Sequence, residues 1–345
     1  MYQLGTKWTL WNLPAFLQDD VESITLRGYS TGPEEVLDRL RLSADLYAAS
    51  LDDKGNFRGL SVEIITSRYC PNGRDLYLEK KKALRGSKGH TTWGRVAGHL
   101  IEKYCKGLLK HFEELAHRPE GLDYQSIQTL AQEYSQTFWG KSSHKKKLKE
   151  LQDQARTSEE APERLVFLLQ QTAKYELTML GIDYTLSQNR NGKFVPLMQR
   201  IPVRFDEEAV RISPGTNLGL SETTTPDFII LDEPTIVMGD IKTGIRLEQF
   251  HLHTIAGYAL AFESQHKKAV NFGIVYFFET HTRQMDFARS HIFVIDDFLR
   301  RKFLDMRDEA YRILQRAEPP SLVDDYDKHC KHCKHHTDCY PDIND

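Results

Sequence analysis

Two short apolar runs, 228–231 and 236–238, flank a polar, proline-containing break at 232–235, and an acid stands at the outer end of each run: Asp227 behind Pro226, and Asp240 two residues before Lys242. Runs of this length around such a break predict strand, turn, strand. If the hairpin folds about Glu233 and Pro234, Asp227 falls opposite Asp240, with Cβ atoms about 5 Å apart. Side chains alternate faces along a strand, so Asp240 and Lys242 share one side. Two carboxylates and an ammonium then converge at one end of an apolar hairpin. Exposure on an edge hairpin is the plainest explanation of three charged residues. Against it stands the desolvation cost of an acid set before an apolar strand, unless something satisfies it. Hard divalent cations favour carboxylate oxygens, and a neighbouring lysine can position a water or steady developing negative charge.

The chain has 345 residues, 40% hydrophobic and 28% charged, which predicts a folded protein with room for one large or two ordinary domains. No apolar stretch approaches the ~20 residues that span a bilayer, and residues 1–7 lack a basic region followed by an apolar segment. A cytoplasmic protein with no membrane partner is the expectation. The formal charge is −3, so any nucleic-acid surface must be local.

Helical spacing is clear from near Thr92, where Val96, Leu100, Ile101, Tyr104, Leu108, Phe112 and Leu115 recur three or four apart. Further helices are expected over 33–50, 123–139, 162–180, 246–264 and 296–316, and strands near 194–205, 208–213, 227–231, 235–242, 271–278 and 290–295. The polar segment 144–160 reads as an exposed helix end or loop. These elements predict an α/β (α+β) fold: a mixed sheet with flanking helices and a helical section at 92–185 inserted near its start. Residues 1–66 are set apart as an N-terminal extension, 67–320 as the main domain and 321–345 as a cysteine-rich tail.

Five cysteines are an awkward count for a disulfide framework, and clustered thiols in a reducing compartment more often hold metal. Cys330, Cys333 and Cys339 lie in a C-x2-C-x5-C pattern among His329, His332, His335 and His336. The two-residue gap lets both sulfurs reach one centre. Zinc and an iron–sulfur cluster both suit this tail, the latter needing one further thiolate. Cys105 sits mid-helix, where a core thiol is usual. Cys70, before Pro71 in a loop-like stretch, is the better fourth ligand.

Hairpin and divided cysteines together resemble the RecB-like PD-(D/E)xK nucleases carried in CRISPR adaptation modules, the Cas-four exonucleases, over roughly 67–345. The resemblance implies a restriction-endonuclease-like core and a C-terminal cluster region in which Cys70, Cys330, Cys333 and Cys339 hold an iron–sulfur cluster, 4Fe–4S ahead of 2Fe–2S. It favours iron–sulfur over zinc. Asp227, Asp240 and Lys242 match the family's acid, second acid and lysine, and 94–99 matches the glycine-and-histidine element that supplies a metal ligand. By this likeness His99, Asp227, Asp240 and the Ile241 carbonyl hold Mn²⁺ or Mg²⁺, and Lys242 serves the attacking water or the phosphorus. The Tyr-Cys-Pro-x-Gly-Arg-Asp stretch at 69–75 suggests the longer branch tied to archaeal-type (I-A) systems. One element departs: Thr254 stands where the family has a Gln four residues before Tyr258, with His253 and Gln249 nearby.

The resemblance implies a metal-dependent exonuclease acting on single-stranded DNA, or DNA with single-stranded ends, beside CRISPR integrase subunits. A non-catalytic DNA-end-binding or scaffolding subunit is the rival reading. An isolated histidine such as His99 is more often structural, and Glu102, one turn on, is more simply a solvent-facing acid. Lys80, Lys81, Lys82, Arg85 and Lys88 could follow a DNA backbone, with Trp93 or Tyr69 stacking on bases, although basic runs are usually solvated faces. Gly140-Lys141-Ser142 lacks the upstream glycine of a phosphate loop, Ser135 standing there, which excludes that motif.

Overall fold

The computed structural model describes residues 42–52, 54–66, 70–82, 93–116, 124–154, 162–191, 203–204, 210–214, 218–232, 235–244, 247–266, 268–279, 288–323, 330 and 333–340. The expected helix before residue 42, the strand over 194–202, the Glu233–Pro234 turn, and Tyr69, Arg85, Lys88, His329 and His332 lie outside them.

A mixed sheet of four strands organises the molecule: β2 (Phe228–Asp232), β3 (Thr235–Gly244), β4 (Phe272–Glu279) and β5 (Arg289–Val294), extended at one edge by the two-residue β1 (Val203–Arg204). Strands pair in sequence order. The β2–β3 and β4–β5 pairs are antiparallel, and β3 and β4 run parallel. A parallel pair needs a crossover, here supplied by helix Gln249–His266.

Helices cover both faces of the sheet. In chain order they are α1 (Ala44–Ala48), α2 (Val62–Thr66), α3 (Arg74–Lys80), α4 (Trp93–Ala116), α5 (Tyr124–Gly140), α6 (Ser142–Gln154), α7 (Pro162–Asn191), the crossover α8, α9 (Asp297–Gln315) and the short α10 (His336–Cys339). Alternation along the hairpin divides the core in two. Phe228, Ile230, Val237 and Ile241 pack with Val96, Leu100, Tyr104, Leu165 and Leu169 of α4 and α7. Ile229, Ile236 and Met238 face the other way, into Val62, Ile65, Tyr77, Ile255 and Phe303 of α2, α3, α8 and α9. Each such side chain withdrawn from water contributes about 1.5–3 kcal/mol, so both strand faces are fixed and a one-residue slip is excluded.

Helix starts follow ordinary end chemistry. Pro162 opens α7, where its missing N–H costs nothing. Asp296 caps α9 by accepting from the Leu299 amide at 2.9 Å. A buried pair locks α8 to α9: Arg300 Nη2 lies 2.5 Å from Glu263 Oε1, and both side chains are almost wholly buried. The pair is tolerable because its remaining sites are filled. Val270 N–H donates to Glu263 and the Val270 carbonyl accepts from Arg300, each at 2.8 Å.

Three sequence expectations change. Residues 142–154 form a helix, because His144, Leu148 and Leu151 at i, i+4, i+7 make an inward stripe within the lysine run. The expected strand at 208–213 is, among its described residues, a single bridge between Ile212 and Thr224, with Val210 and Ile212 buried in the core. Trp93 is also buried, 6% exposed, and therefore offers no stacking platform. Residues on both sides of position 66 share one core, since Leu42, Leu46, Leu60, Val62 and Ile65 pack with α8 and α9.

Candidate active site and cysteine cavity

The last β2–β3 pair is Phe228 with Gly239, so the next step of the ladder sets Asp227 opposite Asp240. Gly239 permits this end of the hairpin to close. A Cβ there would lie 2.1 Å from the Phe228 ring. The Ile241 amide donates to Asp227 Oδ2 at 2.7 Å. Lys242 Nζ donates to Asp240 Oδ1 at 2.8 Å. It also stands 2.7 Å from Oδ2, an ionic contact without hydrogen-bond geometry. Lys242 thus stands against both oxygens of Asp240, which is only 2% exposed.

Lys242 is paired with Asp240 and lies within the field of Asp227, and the titration behaviour follows. Burial, then the charge of Asp240, holds the Asp227 carboxyl well above the usual carboxylate range. Burial works against the Lys242 ammonium, but Asp240 and Asp227 outweigh it and raise its pKa. When both carboxylates are ionised they outnumber the Lys242 ammonium, and a divalent cation offsets such an excess.

The α2–α8 layer joins Thr254 and Tyr258 to two groups that sequence reading missed, Glu63 and His251. Tyr258 OH donates to Glu63 Oε1, and Glu63 is a further charge that raises Lys242. Buried His251 accepts from the Glu248 amide through Nδ1 at 3.2 Å. Burial, then Lys242, brings its pKa down to about 4. His251, Thr254 and Tyr258 lie at i, i+3, i+7 on α8, so a shared face was present in the sequence. Glu63 gave no such signal. Thr254 has a structural duty: its hydroxyl and that of Thr66 share a hydrogen bond at 2.7 Å, fastening α8 to α2.

His99 stands apart from this cluster. It is exposed on α4, and the groups that shift it, after its own desolvation, are Lys103, Lys147, Glu102 and His144. Glu102 pairs with Lys106 at 2.6 Å. The neighbouring Gly98 is where α4 meets β3, 3.5 Å separating a would-be Cβ from Thr243 Cγ2. Among the described residues, no three His, Cys, Asp or Glu side chains are drawn to ligand distance of one point.

Cys70, Cys330, Cys333 and Cys339 line one cavity, together with Arg74, Asp75, His335, His336 and Tyr340. A left-handed turn at Gly73 (φ 72°) presents Cys70, with the Gly73 amide donating to the Cys70 carbonyl at 3.0 Å. Arg74 then joins tail to helix. Its Nε donates to Cys339 Sγ at 3.3 Å, and its Nη1 donates to the Pro320 carbonyl. The His335 amide donates to Cys333 Sγ at 3.4 Å. Burial pushes the Cys333 thiol up to about 11, helped by Asp75, Cys339 and Cys70, so these sulfurs lie within one another's field. No disulfide forms; all five cysteines are free thiols. Cys105 is separate, buried in α4, with its pKa forced up by burial.

A sequence model of the family described as "CRISPR-associated exonuclease Csa1" matches residues 52–338. This chain belongs to the Csa1 family. A curated relative, the CRISPR-associated exonuclease Csa1 of Saccharolobus solfataricus, is 26% identical over 279 residues, covering 79% of this chain and 84% of that protein. The Csa1 match begins before position 66, so α2 and its Glu63 fall inside it, as do the hairpin and three of the four cavity cysteines. Among the described residues of this Csa1 member, no helix is long and apolar enough to cross a membrane.

Proposed function

We propose that this CRISPR-associated exonuclease family member is a divalent-metal-dependent nuclease that trims single-stranded DNA ends for CRISPR adaptation, alongside integrase subunits. The observation that carries the reading is the convergence of Asp227, held by the Ile241 amide, with buried Asp240 and its Lys242 partner at one end of the hairpin. The donor set fits a hard cation: two carboxylates lie opposite each other on the hairpin, with one ammonium paired to Asp240. Asp227, Asp240 and the Ile241 carbonyl would hold Mn²⁺ or Mg²⁺, and His99 is added through the family resemblance. Such an ion, when bound, supplies Lewis-acid polarisation of a phosphodiester oxygen and a more acidic water.

The chain's own groups do the rest. The Ile241 amide fixes Asp227, so that carboxylate needs no rearrangement to act. Lys242 is kept charged by the acids, yet its side chain is 29% exposed against 2% for Asp240. It can therefore reach an incoming phosphate, orient the attacking water and offset charge on the pentavalent phosphorus. Tyr258 and Glu63 brace the same face from α8 and α2.

The cysteine cavity supports a second assignment, an iron–sulfur cluster on Cys70, Cys330, Cys333 and Cys339. Four thiols line one space, and N–H groups from Arg74 and His335 reach two of the sulfurs, the environment that tunes such clusters. Its role is to tie the Cys70 turn to the tail. Anaerobically purified protein tests the function on end-labelled strands. With Mn²⁺ it should release labelled nucleotides from single strands, and EDTA should stop it. Retarded but uncut strands would instead make this a DNA-end-binding scaffold.

A further inference from the structure

The cavity holds one group that neither the nuclease chemistry nor the four thiolates use. His335 is 0% exposed, lines the cavity, and lies between Cys333 and Cys339. Its Nδ1 sits 2.9 Å from Asp338 Oδ2. A carboxylate only accepts, so a ring proton belongs on Nδ1, and the tautomer this selects has its lone pair on Nε2. Nε2 is buried and has no hydrogen-bond partner among the described residues. A carboxylate behind one imidazole nitrogen is the arrangement that orients a histidine toward a metal at the other.

Hydrogen bonds fix the His335 backbone beside Cys333 and Cys339. The His335 amide donates to Cys333 Sγ at 3.4 Å, and its carbonyl accepts from the Cys339 and Asp338 amides, each at 3.1 Å. His336 also lines the cavity, but its ring is stacked with Tyr340 at a centroid distance of 6.1 Å.

We propose that His335 is a ligand of the metal centre in this cavity, binding through Nε2, with Asp338 as the residue that sets its tautomer. The centre is then a mixed thiolate–imidazole site, four thiols and one imidazole lining the cavity where an iron–sulfur cluster takes four protein ligands. This rests on the reading of the cavity as a metal site, not on the nuclease assignment.

The test uses full-length protein purified anaerobically from cells fed ¹⁵N-histidine and reduced with dithionite. Hyperfine spectroscopy should show one strongly coupled histidine nitrogen, present in His336→Ala and absent in His335→Ala. Should His335→Ala fail to fold, the wild-type and His336→Ala spectra still decide. A cluster spectrum without a strongly coupled nitrogen overturns the inference and leaves the cluster assignment standing. If the protein contains zinc without iron or sulfide, the cluster assignment fails, and zinc K-edge absorption decides the inference: an imidazole shell supports it, and an all-sulfur shell overturns it. Protein that retains neither metal overturns both.

Discussion

Asp227 accepts a hydrogen bond from the Ile241 amide at 2.7 Å, so the first acid is held by the backbone of the strand that carries the second. Asp227→Asn keeps this acceptor and removes one of two like charges. Because burial and Asp240 raise the Asp227 pKa in the fold, its favourable contribution exists below the ordinary carboxylate range and is lost as pH rises. At neutral pH the charge therefore costs stability. In EDTA at pH 7 the variant should melt roughly 1–3 °C above wild type, and the stabilisation that Mn²⁺ gives wild type should disappear. A lower Tm in EDTA would show that the charge itself stabilises the fold.

His251 provides a pH signature with the opposite direction. Its folded pKa of about 4 lies below the ordinary imidazole value of 6.5, so the unfolded chain takes up a proton first. The associated stability is complete above 6.5 and drains away toward 4, in total on the order of 3 kcal/mol. Urea midpoints at pH 7.5 and 5, measured in EDTA, should fall more steeply for wild type than for His251→Gln. Parallel slopes would mean that His251 is protonated in the folded protein.

Gly239→Ala should cost about 1–3 kcal/mol by overpacking, since the added Cβ would meet the Phe228 ring at 2.1 Å. Phe228→Leu in the same chain should recover part of the loss, as read by thermal melting. Equal or greater destabilisation in the double variant would place the strain elsewhere.

The hairpin was legible because its evidence is local: a proline break between two short, continuous apolar runs sets the register about Glu233 and Pro234, and the ladder follows that register. The helix at 142–154 was present in the sequence as the His144, Leu148, Leu151 stripe but was masked by the lysines around it. The α2 side of the site was not legible. Glu63 meets Tyr258, and Thr66 meets Thr254, across nearly two hundred residues, through packing of separate helices. No spacing in a single chain encodes such contacts. The segment near Ile212 misled because alternating Val210, Arg211, Ile212 reads as a strand, whereas burial in the core explains the same pattern.

Cysteine variants separate the cavity from the core. Cys70→Ala should lose the brown cluster absorbance, because Cys70 lines the cavity with the tail thiols. Cys105→Ala should keep it, because Cys105 is buried in the α4 core. The reverse result, read from absorbance and iron content, would identify the wrong fourth thiol.

The most direct measurement is Mn²⁺-dependent release of end label from single-stranded DNA by Lys242→Ala, assayed beside wild type at matched cluster absorbance. Lys242 is paired with Asp240 and lies within the field of Asp227, so its loss should slow cleavage by about 10²–10³-fold or more, with cluster absorbance unchanged and melting lowered because buried Asp240 loses its counter-charge. Wild-type rates from the variant would contradict a catalytic Asp227–Asp240–Lys242 cluster.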